Sequence, residues 1–92
     1  MALERLIVCA ASRCRKTGKI VLGVRHWDAL MYSFLTEDEL AVFDDEQGFI
    51  DNRRVFVDRN EAWKIAEAAN QINFRCGGDT ADGGTLYSEN LY

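Results

Sequence analysis

Ile20-Val21-Leu22-Gly23-Val24-Arg25-His26-Trp27-Asp28-Ala29-Leu30-Met31-Tyr32-Ser33-Phe34-Leu35 is the stretch in which the chain changes period. Ile20 to Val24 is an apolar, β-branched run of strand type. From there on, Trp27, Leu30, Met31, Phe34 and Leu35 recur at i, i+3, i+4, i+7 and i+8, with Tyr32 and Ser33 turned away. That spacing lays one apolar stripe along a helix and predicts core packing for it. Between strand and helix, Arg25-His26-Trp27-Asp28 sets a cation, an imidazole, an indole and a carboxylate in consecutive places, and His26 is the only histidine. A strand end feeding a helix N-terminus offers free backbone N–H groups and partial positive charge, which suit phosphate or carboxylate. Two readings of the tetrad stay open. It grips a polar or anionic ligand, or it is a structural turn with Trp27 in the core and Arg25 and Asp28 paired at the surface.

Upstream, Leu3 to Ala11 contains the apolar run Leu6-Ile7-Val8-Cys9-Ala10, which reads as a buried strand. The basic stretch Ser12 to Lys16 and the turn Thr17-Gly18-Lys19 join it to Ile20–Val24, giving an antiparallel hairpin whose loop carries the basic cluster. Downstream, Thr36-Glu37-Asp38-Glu39 caps a further short turn, and Asp44-Asp45-Glu46-Gln47-Gly48 reads as a loop. Phe49-Ile50-Asp51 and Arg54-Val55-Phe56-Val57 read as short strands around Asn52-Arg53. Asp58 with Glu61 three places on has capping-box chemistry. It opens a helix with Ala62, Ile65, Ala66, Ala69 and Ile72 on one face and Trp63 at the flank, ending between Asn70 and Asn73. The predicted architecture is α+β: a single domain over 1–92, a small antiparallel β-sheet packed with two α-helices, in the order β-β-α-β-β-α. A glycine-rich loop over 77–84 follows, and the segment 86–92, with Leu86, Tyr87, Leu91 and Tyr92, is expected to dock on the domain or on a neighbouring subunit.

Composition narrows the function. A net charge of −4 argues against a duplex nucleic acid partner. The charge is segregated: Arg13, Arg15, Lys16 and Lys19 cluster early, whereas Glu37, Asp38, Glu39, Asp44 and Asp45 follow as an acidic block that reads as a solvated loop. Cys9, Cys14 and Cys76 are odd in number and lack paired spacing, so neither a disulfide framework nor a metal site is indicated. Without a signal segment or a membrane span, a soluble cytoplasmic protein is expected. Gly77-Gly78 and Gly83-Gly84 match no phosphate-loop pattern, and one histidine without a nucleophile motif does not make an enzyme, so no catalytic residue and no cofactor is assigned. What remains is a binding inventory: Arg25, Arg54 and Arg75 as fork donors, Trp27, Phe49 and Phe74 as stacking surfaces, and Asp28, Asp51, Asn52 and Asn73 as acceptors. Guanidinium for phosphate, an aromatic face for a base and carboxylate for ribose hydroxyls form a kit for a nucleotide.

Gly23-Val24-Arg25-His26-Trp27-Asp28, Gln47-Gly48-Phe49-Ile50-Asp51, Phe56-Val57-Asp58-Arg59-Asn60-Glu61-Ala62-Trp63-Lys64-Ile65-Ala66 and Leu86-Tyr87-Ser88-Glu89-Asn90-Leu91-Tyr92 occur in this order. In these segments the chain resembles small bacteriophage proteins of the Thoeris anti-defence protein Tad1 family. The resemblance implies a non-catalytic sponge that captures cyclic ADP-ribose isomers, the alarm signals of bacterial TIR-domain proteins, in the host cytoplasm without cleaving them. It also implies a homo-oligomer, dimers combining into hexamers with ligand sites at subunit interfaces, and in some relatives a separate site for cyclic oligonucleotides. Carried over by segment, Arg25 and Arg75 would grip pyrophosphate and Phe49 would stack on adenine, with His26, Trp27, Asp28 and Asn52 beside them. Two readings of other classes stand against it: a nucleotide-processing enzyme using His26 and Asp28, and a phage protein that inhibits a host protein through its acidic block.

Overall fold

The computed structural model describes residues 4–92; Leu3, where the first stretch read from the sequence begins, lies outside them. Four strands form one sheet in the order β2-β1-β3-β4, every neighbouring pair antiparallel: β1 Ile7–Cys14, β2 Ile20–Gly23, β3 Asp45–Asp51 and β4 Phe56–Asp58. Between β2 and β3 lie two short helices, α1 Ala29–Tyr32 and α2 Glu37–Ala41. After β4 come α3 Arg59–Ala68, a 3-10 turn at Ala81–Gly83 and α4 Ser88–Leu91. The class is α+β, and the strand pairs are the two hairpins read from the sequence.

Alternation across the pleat separates two faces. Gly23, Ala10, Phe49 and Val57 stand in register on one face, where Ala62, Trp63, Ile65 and Ala66 of α3 close the core with Ile7, Val21 and Met31. Alanines at 62 and 66 let α3 approach the sheet closely. Cys9, Ile50 and Phe56 stand in register on the other face with Leu22 nearby, all half-buried. Cys9 is therefore not the fully buried small hydrophobe that its apolar run suggests. Asp58 caps α3 by accepting from the backbone N–H of Glu61 at 2.8 Å, while the Glu61 carboxylate turns to Arg5 at 3.3 Å rather than back to the cap.

Ser12 to Cys14 of the basic stretch belong to β1 rather than to the hairpin loop, and the structure corrects two larger expectations. The stripe from Trp27 to Leu35 does not make one helix. Trp27 takes a left-handed backbone, φ 56°, and Asp28 starts α1 only after it; Thr36 then opens α2 with a complete capping box to Glu39. Trp27, Met31 and Leu35 still reach the core, but Leu30 is 50 % and Phe34 47 % exposed. The second correction concerns Asp44 to Gly48, which is no loop: Asp45–Asp51 is the third strand, paired to β1. Its acids face the basic stretch across the ladder. Arg13 holds Glu46 at 2.8 Å, and Arg15 meets Asp44 at 3.3 Å. Lys19 meets Glu39 of α2 at 2.6 Å. The basic cluster and much of the acidic block neutralise one another.

The segment after α3 folds back over the same core. Leu86 is fully buried, and Leu91, Ser88 and Asn90 are buried beside it. Asn90 fixes the return: its carbonyl accepts from the N–H groups of Asn73 and Phe74, and its amide donates to the Phe74 carbonyl at 2.9 Å. Gly84, at φ +122°, lies against Trp63 so closely that a Cβ there would sit 2.0 Å from Cδ1 of the indole. Gly84 of the glycine-rich loop thus serves packing, whereas Gly77 and Gly83 have open space beside them. No helix among the described residues is long and apolar enough to cross a membrane, and no group of His, Cys, Asp and Glu among them could hold a metal ion.

Candidate functional site

Asp28 is wholly occupied by the turn it caps. One carboxylate oxygen accepts from the N–H of Met31 at 2.9 Å, the other from Val24 at 2.9 Å and Arg25 at 3.0 Å. These N–H bonds, with Arg25 first, hold its carboxyl below the usual range. Trp27 donates its indole N–H to Asp45 at 2.8 Å and packs edge-on to Phe43. His26 reaches inward, donating Nε2–H to the Gly48 carbonyl at 2.7 Å and meeting Phe49 edge to face, with centroids 5.0 Å apart. Burial first, then the Arg59 charge, pushes its pKa below the ordinary value, so the ring stays neutral at physiological pH.

Arg25 alone of the tetrad points to the chain's last segment. It donates to the main-chain oxygen of Tyr92, its Cζ lies 5.5 Å from the Tyr92 ring centroid, and the Tyr92 hydroxyl donates to the Val24 carbonyl. Glu89 approaches Nη1 only to 3.6 Å, and Nη1 has no hydrogen-bond partner. The tetrad is therefore both a structural turn and a support that lays one guanidinium against the chain's last segment, with Nη1 buried there.

The other site residues are scattered. Phe49 is the largest fully buried side chain among the described residues, so its ring has no free face for a base. Asn52 sits in the exposed turn after β3 and ties it to the N-terminal edge, accepting from Leu6 N–H at 3.0 Å and donating to the Glu4 carbonyl at 2.9 Å. Arg75 is gripped by Asp79 through Nε at 2.8 Å and Nη2 at 3.0 Å, and its Cζ lies 5.9 Å from the Trp63 ring. That pair, first, with the Cys76 N–H next, keeps the Asp79 carboxyl far below its ordinary range. The grip fixes the direction of the Arg75 fork while leaving Nη1 outside it.

Two grooves that share Asn70 lie beside these arginines. One, of about 350 Å³, runs between Val8 on β1, the turn after α3 and the end of the chain, and is lined by Asn70, Gln71, Asn73 and Tyr92. The second, of about 260 Å³, is lined by Arg75, Trp63, Glu67 and again Asn70. Arg25 reaches the first through Tyr92, and Arg75 walls the second. A groove of about 330 Å³ against the outer side of α3 has Arg5 and Lys64 opposed by Glu4 and Glu61, a poorer seat for an anion.

Sequence reasoning missed Arg59. It donates to the Leu86 carbonyl at 2.7 Å and to Gln47, and its Cζ stands 5.0 Å from the Tyr87 ring centroid and 5.9 Å from that of Phe49. Among the described residues no carboxylate pairs with it, and burial draws its pKa down. The signal was present: Arg59, Ala62, Trp63 and Ala66 stand at i, i+3, i+4 and i+7, so a cation occupies the apolar stripe of the helix. From the sequence Asn70 reads only as a helix end; its backbone is left-handed, φ 59°.

The family model described as phage T4 y16D protein matches residues 6–92. The chain belongs to the phage T4 y16D protein family. No curated protein and no solved structure matches it. A small bacteriophage protein is thereby shown, and the y16D match covers both grooves and both arginines.

Proposed function

We propose that this phage protein is a non-catalytic binder that sequesters a cyclic ADP-ribose isomer in the host cytoplasm and so blocks Thoeris-type immunity. The observation that carries the binding part is the sharing of Asn70 by two grooves, one reached by Arg25 and one walled by Arg75. Two guanidiniums beside partly aromatic walls, uncharged in the larger groove and carrying Glu67 in the smaller, suit a ligand that is anionic in part and a ring system in part. The choice of cyclic ADP-ribose among such ligands comes from the resemblance in the Arg25-His26-Trp27-Asp28 and terminal segments.

Capture without turnover is favoured over the enzyme reading by the state of His26 and Asp28. His26 spends Nε2 on a backbone carbonyl inside the core, and every oxygen of Asp28 accepts from the backbone. A general acid or base must reach the proton it moves. The inhibitor reading is weakened by the pairing of Glu39, Asp44 and Glu46 with Lys19, Arg15 and Arg13. The homo-oligomeric part is supported by the apolar sheet face carrying Leu22, Ile50 and Phe56, with Ile20 39 % and Val24 55 % exposed at its rim. Equilibrium dialysis of labelled cyclic ADP-ribose tests the reading. The native chain retains ligand, and Arg25→Ala retains it on the order of a hundredfold less tightly, as expected for a charge-assisted hydrogen bond lost from a ligand. Equal retention by both chains removes Arg25 from the site.

A further inference from the structure

The geometry points to the larger groove as a nucleobase subsite that reads adenine through the Asn70 carboxamide, with Tyr92 as the stacking face. The inference rests on the capture reading above and gives it a base-recognising residue. No charged side chain lines this groove, so phosphate gains nothing by entering it. Its volume, about 350 Å³, lies near the lower end of the range of small-molecule pockets, roughly 300–1,000 Å³. That is room for a base and part of a ribose, with phosphates left outside at the guanidiniums.

The polar lining sorts into occupied and open groups. Gln71 is spent on the backbone of Ile7, accepting from its N–H at 2.8 Å and donating to its carbonyl at 2.9 Å. Asn73 donates to the Leu91 carbonyl at 3.1 Å, which leaves its oxygen open. The Asn70 carboxamide makes no side-chain hydrogen bond among the described residues and is exposed. A carboxamide presents a donor beside an acceptor, the complement of the adenine amino group and N7; the same edge of guanine offers two acceptors and leaves the amide oxygen unmatched. The Tyr92 ring, on a residue 41 % exposed, borders the groove with Arg25 close by. A base stacked on it would place its phosphates within reach of Arg25.

The left-handed backbone of Asn70 makes glycine the clean replacement, because Asn70→Gly removes the amide and keeps the favoured conformation. Calorimetric titration with ADP, GDP and inorganic pyrophosphate separates base from phosphate. We expect ADP to bind at least tenfold more tightly than either pyrophosphate or GDP. Asn70→Gly should erase most of that advantage with pyrophosphate affinity unchanged, and Tyr92→Leu should reduce it independently. The side-chain amide resonance of Asn70 should move with ADP and stay with pyrophosphate. Equal affinity for ADP and pyrophosphate, or an ADP preference that survives Asn70→Gly, overturns the base subsite while leaving the arginine grip standing. Binding of none of the three overturns both.

Discussion

The cations of the β1–β3 ladder and those around the last segment of the chain meet their partners in different ways. Arg13, Arg15 and Lys19 each hold a carboxylate brought close by strand register or by the capped turn of α2. Arg25 is met by a main-chain oxygen, an aromatic ring and a carboxylate at 3.6 Å; Arg59 by a carbonyl, an amide and two rings. A guanidinium whose partner is a full opposite charge at hydrogen-bond distance has little left to offer a ligand. One held by neutral or loosely placed groups keeps donors in reserve. Arg75 stands between the two, aimed by Asp79 but only on one edge of its fork. Counting basic residues along the chain points to the first region, whereas partner geometry points to the second.

The largest effect that sharpens this contrast is Phe49→Ala. Phe49 is fully buried in the core beside His26, and its truncation should cost about 3–5 kcal/mol in denaturant unfolding. A loss near zero would mean the ring is free to leave the core and meet a base after all. Next is Gly84→Ala, where a left-handed backbone and a Cβ 2.0 Å from Trp63 combine; about 2–3 kcal/mol should go, with the last segment loosened against the core. Amide exchange over 86–92 reads that loosening directly, and unaltered protection there would contradict the packing.

A smaller effect comes from His26. Its folded pKa is depressed by burial and the Arg59 charge, so the unfolded chain takes up the proton first as pH falls. Stability is full above the unfolded value, about 6.5, and declines as pH drops through it toward the folded value. Unfolding curves at pH 7, 6 and 5 should show that decline, and His26→Gln should flatten it; an unchanged slope in the variant assigns the proton elsewhere. The smallest effect is Arg13→Ala, which breaks a part-exposed pair with Glu46. It should cost under about 1 kcal/mol and leave capture untouched. A capture defect there would bring the ladder cations into the site.

Local signals carried much of this fold into the sequence: both hairpins, the cap at Asp58 and the alanine face of α3 are settled by neighbours a few residues apart. Asp44 to Gly48 was misread because acids and glycine resemble a loop until Arg13, 33 positions away, supplies the partner that makes Glu46 a strand residue. The stripe after Trp27 was misread because periodicity does not register a left-handed residue at its start or a new cap at Thr36. For the site, Arg25 and Arg75 could be named from residue type, but their relation through Asn70 depends on how the last segment folds back. Arg59 was legible as a cation in an apolar stripe.

The central claim is capture without chemistry by a site built around Arg25 and Arg75. Its most direct measurement loads the protein with cyclic ADP-ribose isomers, removes free ligand, denatures the complex by heat and chromatographs what is released. Intact ligand recovered only after denaturation, in fixed proportion to protein, is the predicted result. A cleaved product would contradict it in favour of an enzyme using His26, and no retained ligand would contradict the capture reading itself.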